Sequence, residues 1–385
     1  MILKEPVLEP VDHLVLDLLK GQRDQLRHLT QNAPRRWIGS LRRLAFARAV
    51  QGSNSIEGYH ATLDNALAAA ENESPMDQQD ETTSALRGYR DALTYIMQAS
   101  NDPYFELSKQ FLKSLHFMIT SYKMANNPGQ YRPGYIQIVR EQTGDVVYVG
   151  PAAEFVDSLI EELVAYLKAP AASPAAVRAA MAHLNLVMIH PFSDGNGRTA
   201  RAIQTFVLAR EGLVDPVFAS IEEWLGANTD QYYAALAHTG QGKWTGQGDT
   251  LAWVRFCLKA HYQQAANLIR RNDDYGRLFD ALERLAIEQK LPDRMMMPLF
   301  EAALGLRMTN SRYVILAGTE SRTASRDLQL LVNRGLLVAE GEKRGRVYGG
   351  SEIVRQLRRE TRSKKAMADP YVLVRSLEHP RLPGI

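Results

Sequence analysis

Residues 175–212 read AAVRAAMAHLNLVMIHPFSDGNGRTARAIQTFVLAREG, two helical patterns on either side of a short polar interval. In the first, Val177, Met181, Leu184, Val187 and Met188 recur at three-and-four spacing on one face. A buried helix is therefore expected up to His190, where Pro191 stops it. The second pattern closes at Gly212, which leaves residues 193–197 as the connecting loop. A helix start preceded by glycine offers unpaired N–H groups and the positive end of the helix dipole to an anion. Glycine also allows the backbone angles and the close approach that a phosphate needs.

Outward from this pair, most segments up to about residue 270 keep helical spacing, as in Leu159, Leu163, Val164 and Leu167. The expected fold class is mainly α. The exception is YRPGYIQIVREQTGDVVYVG, residues 131–150, where Ile136/Ile138 and Val147/Val149 flank a turn with Thr143, Gly144 and Asp145, a β-hairpin pattern. Near residue 275 the character changes. Three short helical patterns over 276–337 precede LLVAEGEKRGRVYGG, which reads as two strands around a charged turn, and together they predict a winged helix-turn-helix. SRTASRDLQLLVNRGLL has the pattern of its recognition helix. From residue 307 to 365 there are 14 Lys/Arg against 6 Asp/Glu, so the chain's net charge of +3 conceals one basic module and a mildly acidic remainder.

Composition excludes several classes. One cysteine, Cys257, rules out an intramolecular disulfide framework, and no Cys/His spacing suits structural zinc. No window approaches the roughly 18 consecutive apolar residues of a membrane span. The N-terminus carries acids and prolines in place of a signal peptide's basic start, so a cytoplasmic protein without a membrane partner is expected.

The chemistry concentrates in residues 190–201, HPFSDGNGRTAR. Asp194 is a hard oxygen ligand able to hold one Mg²⁺ against phosphate oxygens. Arg198 and Arg201, three apart, share a helix face and can clamp two phosphate groups. His190, with an ordinary pKa of about 6.5, can take a proton from an attacking hydroxyl. Asn196 can donate an amide hydrogen bond to a phosphate oxygen. Alone, such a histidine is ordinarily a packed core residue, and two such arginines an ordinary solvated face. Their conjunction with an acid and Gly-Asn-Gly points to transfer of a phosphorus group from a nucleotide to a hydroxyl.

This stretch resembles the signature of the Fic family: a His-Pro-Phe start, an acid, Gly-Asn-Gly-Arg and a final Arg. The resemblance implies a Fic helical core with the hairpin as its flap, and adenylyl transfer from ATP to a Ser, Thr or Tyr hydroxyl of a target protein or of itself. Under it His190 is the base and Asp194 holds Mg²⁺. Asn196 and the N–H groups around Gly195 and Gly197 stabilise the α-phosphate, and Arg198 and Arg201 hold the β- and γ-phosphates, with Ser193 also in the ATP site. The flap would align the target by strand addition, and Phe192 would be a core anchor.

Residues 53–58, SNSIEG, follow the helical register of Leu41, Leu44, Ala45 and Ala49. A Glu before a Gly is ordinarily a solvated helix end. Ser53, Glu57 and Gly58 nevertheless match the family's inhibitory motif, which implies that Glu57 pairs with Arg201 and denies it to the γ-phosphate. Some relatives also use this glutamate to remove AMP.

The expected domains are 1–104, an N-terminal helical region with the inhibitory helix; 105–275, the Fic core; 276–362, the winged helix; and 363–385, a poorly fixed tail. Asn228 and Tyr233, in WLGANTDQYYAALAHTGQG, are candidates for the adenine pocket, against plain aromatic packing. Arg132 is expected to set the path into the flap or to serve the motif loop. The winged helix is a module for DNA or for protein contact, and the sequence leaves open whether the chain forms a homo-oligomer. The competing readings are phosphoryl or other nucleotidyl transfer, de-AMPylation on the same fold, and a DNA-binding regulator.

Overall fold

The structure is a computed structural model that describes residues 1–32, 35–71, 80–140, 143–170, 172–212, 216–342 and 345–378. Its elements in chain order are α1 (Pro10–Arg27), α2 (Ile38–Ile56), α3 (Leu63–Ala70), α4 (Asp80–Asn101), α5 (Lys109–Thr120), β1 (Gln137–Val139), β2 (Val146–Val149), α6 (Val156–Lys168), α7 (Ala175–Ile189), α8 (Asn196–Arg210), α9 (Pro216–Ala219), α10 (Glu222–Ala227), α11 (Thr229–Gly240), α12 (Leu251–Glu288), α13 (Met296–Ala303), α14 (Asn310–Ala317), α15 (Ser321–Asn333), β3 (Leu337–Glu340), β4 (Val347–Gly350), α16 (Glu352–Thr361) and α17 (Pro370–Glu378). The fold is mainly helical, as its residue periodicity predicts.

The chain divides into two units. The first comprises Met1–Asn32, Leu44–Ala266 and Met367–Ile385. At its centre α7 and α8 pack along each other, with α4 and α5 on α8. The spacing in α7 predicts one buried face, but every residue from Ala176 to Ile189 is buried. A helix dressed in Ala, Leu, Val and Met is apolar nearly all round and belongs in a core. Its polar residues are matched individually: Asn185 bonds the backbone of Leu3 at 2.8 and 3.1 Å, and His183 contacts Gln204 and the Tyr232 hydroxyl.

Two expected boundaries change. Residues 1–104 and 105–275 do not separate, because α4 packs directly on α5 and α8. The tail is also not loose throughout: Pro370–Glu378 is α17, which packs on α1, with the Tyr371 hydroxyl 3.1 Å from Asp12 Oδ1 and Val374 buried. Prolines and charges around it hide a short amphipathic helix. Residues 379–385 lie outside the described residues.

β1 and β2 form the expected antiparallel hairpin, pairing Gln137 with Val149 and Ile138 with Tyr148, with a register shift before Val139. Tyr148 anchors it by donating to the Met188 carbonyl at 2.9 Å. Residues 141–142 of its turn are outside the described residues.

The second unit comprises Ala33–Arg43 and Asn267–Ala366. Its main segment begins nine residues before the expected start at 276, and the unit takes in an N-terminal stretch. Trp37 packs at a tilt against Phe279, ring centroids 5.4 Å apart, and donates to Asn272, and Ser40 donates to Glu301 at 2.8 Å. Helices α13, α14 and α15 are followed by the antiparallel β3–β4 hairpin, to which Met308 adds a backbone bridge at Tyr348. α15 buries Ala324, Asp327, Leu328 and Leu331.

Candidate active site

His190 terminates α7 in the left-handed region, φ 50°, and its N–H closes the last turn on the Leu186 carbonyl. This bend turns the chain into the loop and is a conformation few non-glycine residues adopt. Its Nδ1 lies 3.1 Å from the Val187 carbonyl. A carbonyl only accepts, so Nδ1 carries the proton and Nε2 of the neutral ring keeps its lone pair. Burial of the imidazole holds its pKa below the ordinary 6.5, against the opposing pull of the Val187 bond. Arg132 fixes the same turn, with Nε donating to the His190 carbonyl at 2.8 Å and further N–H groups bonding the carbonyls of Gly134 and Pro151. It therefore serves both the motif loop and the approach to the hairpin.

Inside the loop, Phe192 is fully buried and stacks on His116, centroids 3.7 Å apart. His116 Nδ1 accepts from Gly129 N–H at 2.8 Å, so its Nε2–H donates to the Asp194 carbonyl at 2.9 Å. Burial pushes this imidazole down to about 4, so it is neutral. Asn196 departs from the expected amide contact to phosphate. Its Oδ1 accepts from Phe192 N–H at 2.9 Å and its Nδ2 donates to the Phe192 carbonyl at 2.8 Å, so the side chain clamps the loop. Its backbone N–H, in the first turn of α8, has no partner within the helix and is open to an anion. Gly195, φ 73°, caps that helix, and a Cβ there would stand 2.6 Å from Thr120.

Asp194 is partly exposed, at 38% of its side chain, and accepts from Asn126 Nδ2 at 2.8 Å and from Gly195 N–H at 2.6 Å. A carboxylate has about four lone-pair sites, so acceptor capacity remains. Among the described residues no three His, Cys, Asp or Glu side chains gather as a metal cage. A single open carboxylate fits Mg²⁺ that brings phosphate oxygens and water as its other ligands.

Arg198 and Arg201 are both buried on α8. Arg201 Nε donates to Ser53 Oγ at 2.8 Å, and its NH2 donates to the Ser53 carbonyl at 2.9 Å and to Glu57 Oε1 at 2.7 Å. Burial opposes its charge, but Glu57 and the neighbouring groups more than compensate and raise its pKa. Arg201 NH1 is buried without a hydrogen-bond partner among the described residues. Glu57 lies just beyond the end of α2, where Gly58, φ 84°, turns the chain. A Cβ added to Gly197 would stand 2.4 Å from Glu57 Oε1. The carboxylate thus rests on the first turn of α8, where a helix start attracts an anion.

The remaining candidates are less central. Ser193 is exposed. Asn228 bonds the Trp224 carbonyl at 2.8 Å and accepts from Gln231, so it caps the end of α10. Tyr233, about half exposed, donates to the Ile56 carbonyl at 3.2 Å, which ties α11 to the end of α2. His116, Asn126, Tyr59 and Tyr122 are site residues that sequence reasoning misses. Only the direct adjacency of Tyr59 to Gly58 offered a signal for any of them.

A family model described as Fic/DOC family matches residues 106–208. The protein adenylyltransferase fic-1 of Caenorhabditis briggsae is 25% identical over 258 residues, 66% of this chain and 46% of that protein. The protein adenylyltransferase Fic of Nematostella vectensis is 26% identical over 260 residues, 66% of this chain and 55% of that protein. The chain thus spans about half the length of these curated relatives. Among solved structures, a Fic family protein from Desulfovibrio desulfuricans G20 aligns with a TM-score of 0.56 at 19% identity, covering 90% of this chain and 98% of that one. A Caenorhabditis elegans Fic-1 fragment aligns at 0.52 and 22% identity, covering 67% and 72%. Residues 106–208 thus form a domain matched by the Fic/DOC family model, within a helical architecture shared with these solved structures.

Proposed function

We propose that this chain transfers AMP from ATP and Mg²⁺ to a hydroxyl side chain of a protein, and that Glu57 restrains it. The observation that carries the reading is the free Nε2 of His190, fixed by the Nδ1 bond to Val187, next to a helix start served by two buried arginines. The names of the curated relatives support the same chemistry. In the proposed reaction Nε2 takes the proton of the target hydroxyl and its oxygen bonds the α-phosphorus. The bond from that phosphorus to the bridging oxygen breaks, and pyrophosphate leaves with the electron pair. N–H groups of the first turn of α8 meet the charge growing on the α-phosphate, and Arg198 and Arg201 that on the leaving group. Bound Mg²⁺ would neutralise phosphate charge beside Asp194. The outer edge of β1 is the proposed docking strand for the target.

Label transfer in a bacterial lysate separates this from the alternatives. With Mg²⁺ and α-labelled ATP, protein bands are expected to carry label; with γ-labelled ATP they are not. Label only from the γ position would mean phosphoryl transfer and overturn the nucleotide pose. Loss of AMP from a pre-modified target, dependent on Glu57, would add the reverse reaction.

A second reading concerns the Asn267–Ala366 segment. α15 exposes Arg322, Ser325, Arg326 and Gln329, and neither arginine has an ion-pair partner among the described residues. This favours a winged helix that sets α15 on duplex DNA. Binding is expected to weaken by orders of magnitude between about 50 and 200 mM salt. Binding indifferent to salt, or none, would assign the module to protein contact.

A further inference from the structure

The stretch from residue 53 to 59 reaches both arginines of α8. Ser53 and Glu57 take Arg201. Arg198 NH1 donates to the Tyr122 hydroxyl at 2.9 Å, Tyr122 donates to the Tyr59 hydroxyl at 2.9 Å, and Tyr59 donates to Glu81 Oε1 at 3.1 Å. Lys123 Nζ closes the chain on the same oxygen at 3.1 Å. Each hydroxyl accepts on one side and donates on the other, so the sequence of bonds has a single direction, from a cation to an anion.

Ring faces reinforce it. The Arg198 guanidinium lies 5.3 Å from the Tyr59 centroid and 5.9 Å from that of Tyr122, and the two rings meet edge to face at 87°. Arg198 is fully buried; its NH2 stands 3.7 Å from Asp194 Oδ2, and its Nε has no hydrogen-bond partner among the described residues. The tyrosines thus hold one end of the guanidinium and leave other donors beside the motif loop.

From this geometry we infer that Tyr59, acting with Tyr122, is a positioning residue for Arg198. The segment that blocks Arg201 through Glu57 also completes the phosphate clamp through Tyr59. This rests on the AMP-transfer reading, which gives Arg198 a nucleotide phosphate to meet. The physical gain is preorganisation. A free arginine side chain loses considerable rotamer freedom on binding, and holding it beforehand moves that cost from ligand binding to folding. Two residues separated only by Gly58 then have opposite effects: Glu57 lowers nucleotide engagement and Tyr59 raises it. Excising the whole segment would not reproduce Glu57→Gly.

The test uses the full chain in a Glu57→Gly background, with Tyr59→Ala, Tyr59→Phe and Tyr122→Phe. Calorimetric titration with MgATP gives Kd, and label transfer gives kcat and KM. Tyr59→Ala is expected to raise Kd and KM about fivefold or more and to lower kcat as well, because Arg198 also meets the charge growing on the leaving group. Tyr122→Phe, which removes the acceptor for NH1, is expected to follow it. Tyr59→Phe keeps the ring face and should fall between parent and Tyr59→Ala, and it serves if the alanine variant does not fold. An unchanged Kd with a lowered Tm would make Tyr59 a packing residue and overturn the inference. A lower KM would make it a second brake and overturn it too. If even the Glu57→Gly parent transfers no AMP, the proposed activity fails, while the Kd comparison still decides the role of Tyr59.

Discussion

Glu57→Gly is expected to raise kcat/KM for AMP transfer between about tenfold and a hundredfold. The range follows from the bond removed. A charge-assisted hydrogen bond contributes about 1.5–3 kcal/mol, and each 1.4 kcal/mol is about tenfold. The Glu57–Arg201 contact at 2.7 Å is of that kind and largely removed from water. The gain has a ceiling because Arg201 keeps its two bonds to Ser53. Two effects act together: Arg201 NH2 becomes available, and the first turn of α8 loses the carboxylate resting over Gly197. Glycine costs little stability at this position, since α2 ends at Ile56 and residue 57 is outside its interior. A Tm within a few degrees of wild type should therefore accompany the gain. Equal initial rates for variant and wild type, measured with α-labelled ATP and Mg²⁺, would refute restraint by Glu57.

The site was legible where its chemistry is local. His190, Asp194, Gly195 and the two arginines fall within twelve residues because one helix end, one loop and one helix start supply them all. The Ser53–Glu57 spacing was legible only through family resemblance, since nothing local shows that a helix end will meet an arginine 144 residues on. The supporting residues were not legible. His116 reaches Asp194 across 78 positions, Asn126 across 68, and Tyr122 reaches Arg198 across 76. Each sits in an ordinary helical or turn context that gives no sign of its partner. Asn196 differs in kind: its contacts with Phe192 are only four residues away, yet a polar residue in a glycine-rich loop gives no local sign that it also holds the loop itself. At the scale of the fold, local periodicity identified helices and hairpins. It could not foresee that residues 35–43 pack with the second unit, because that depends on Trp37 and Ser40 finding Phe279 and Glu301.

Removing the imidazole of His190 should have the largest effect of any single change, a loss of transfer of about 10²–10⁴-fold, the range typical of a positioned proton acceptor. The left-handed backbone at this position makes alanine an imperfect probe, since a Cβ without a local hydrogen bond is strained at φ 50°. Asparagine tolerates that conformation and lacks a titratable nitrogen, so His190→Asn separates loss of the base from distortion of the loop. Both variants are expected to bind MgATP within about threefold of wild type, because the helix start, Asp194 and the arginines remain. In the unsubstituted histidine the needed form is the neutral ring. Burial lowers its pKa, so the acid limb of the kcat/KM profile should fall below 6.5 and the rate should be insensitive to this group from neutral pH upward. In His190→Asn that limb should disappear along with the bulk of the rate. Retention of transfer within tenfold of wild type by the asparagine variant would mean that the hydroxyl loses its proton elsewhere, and the free Nε2 would then have to be read as an orienting group and not as the base.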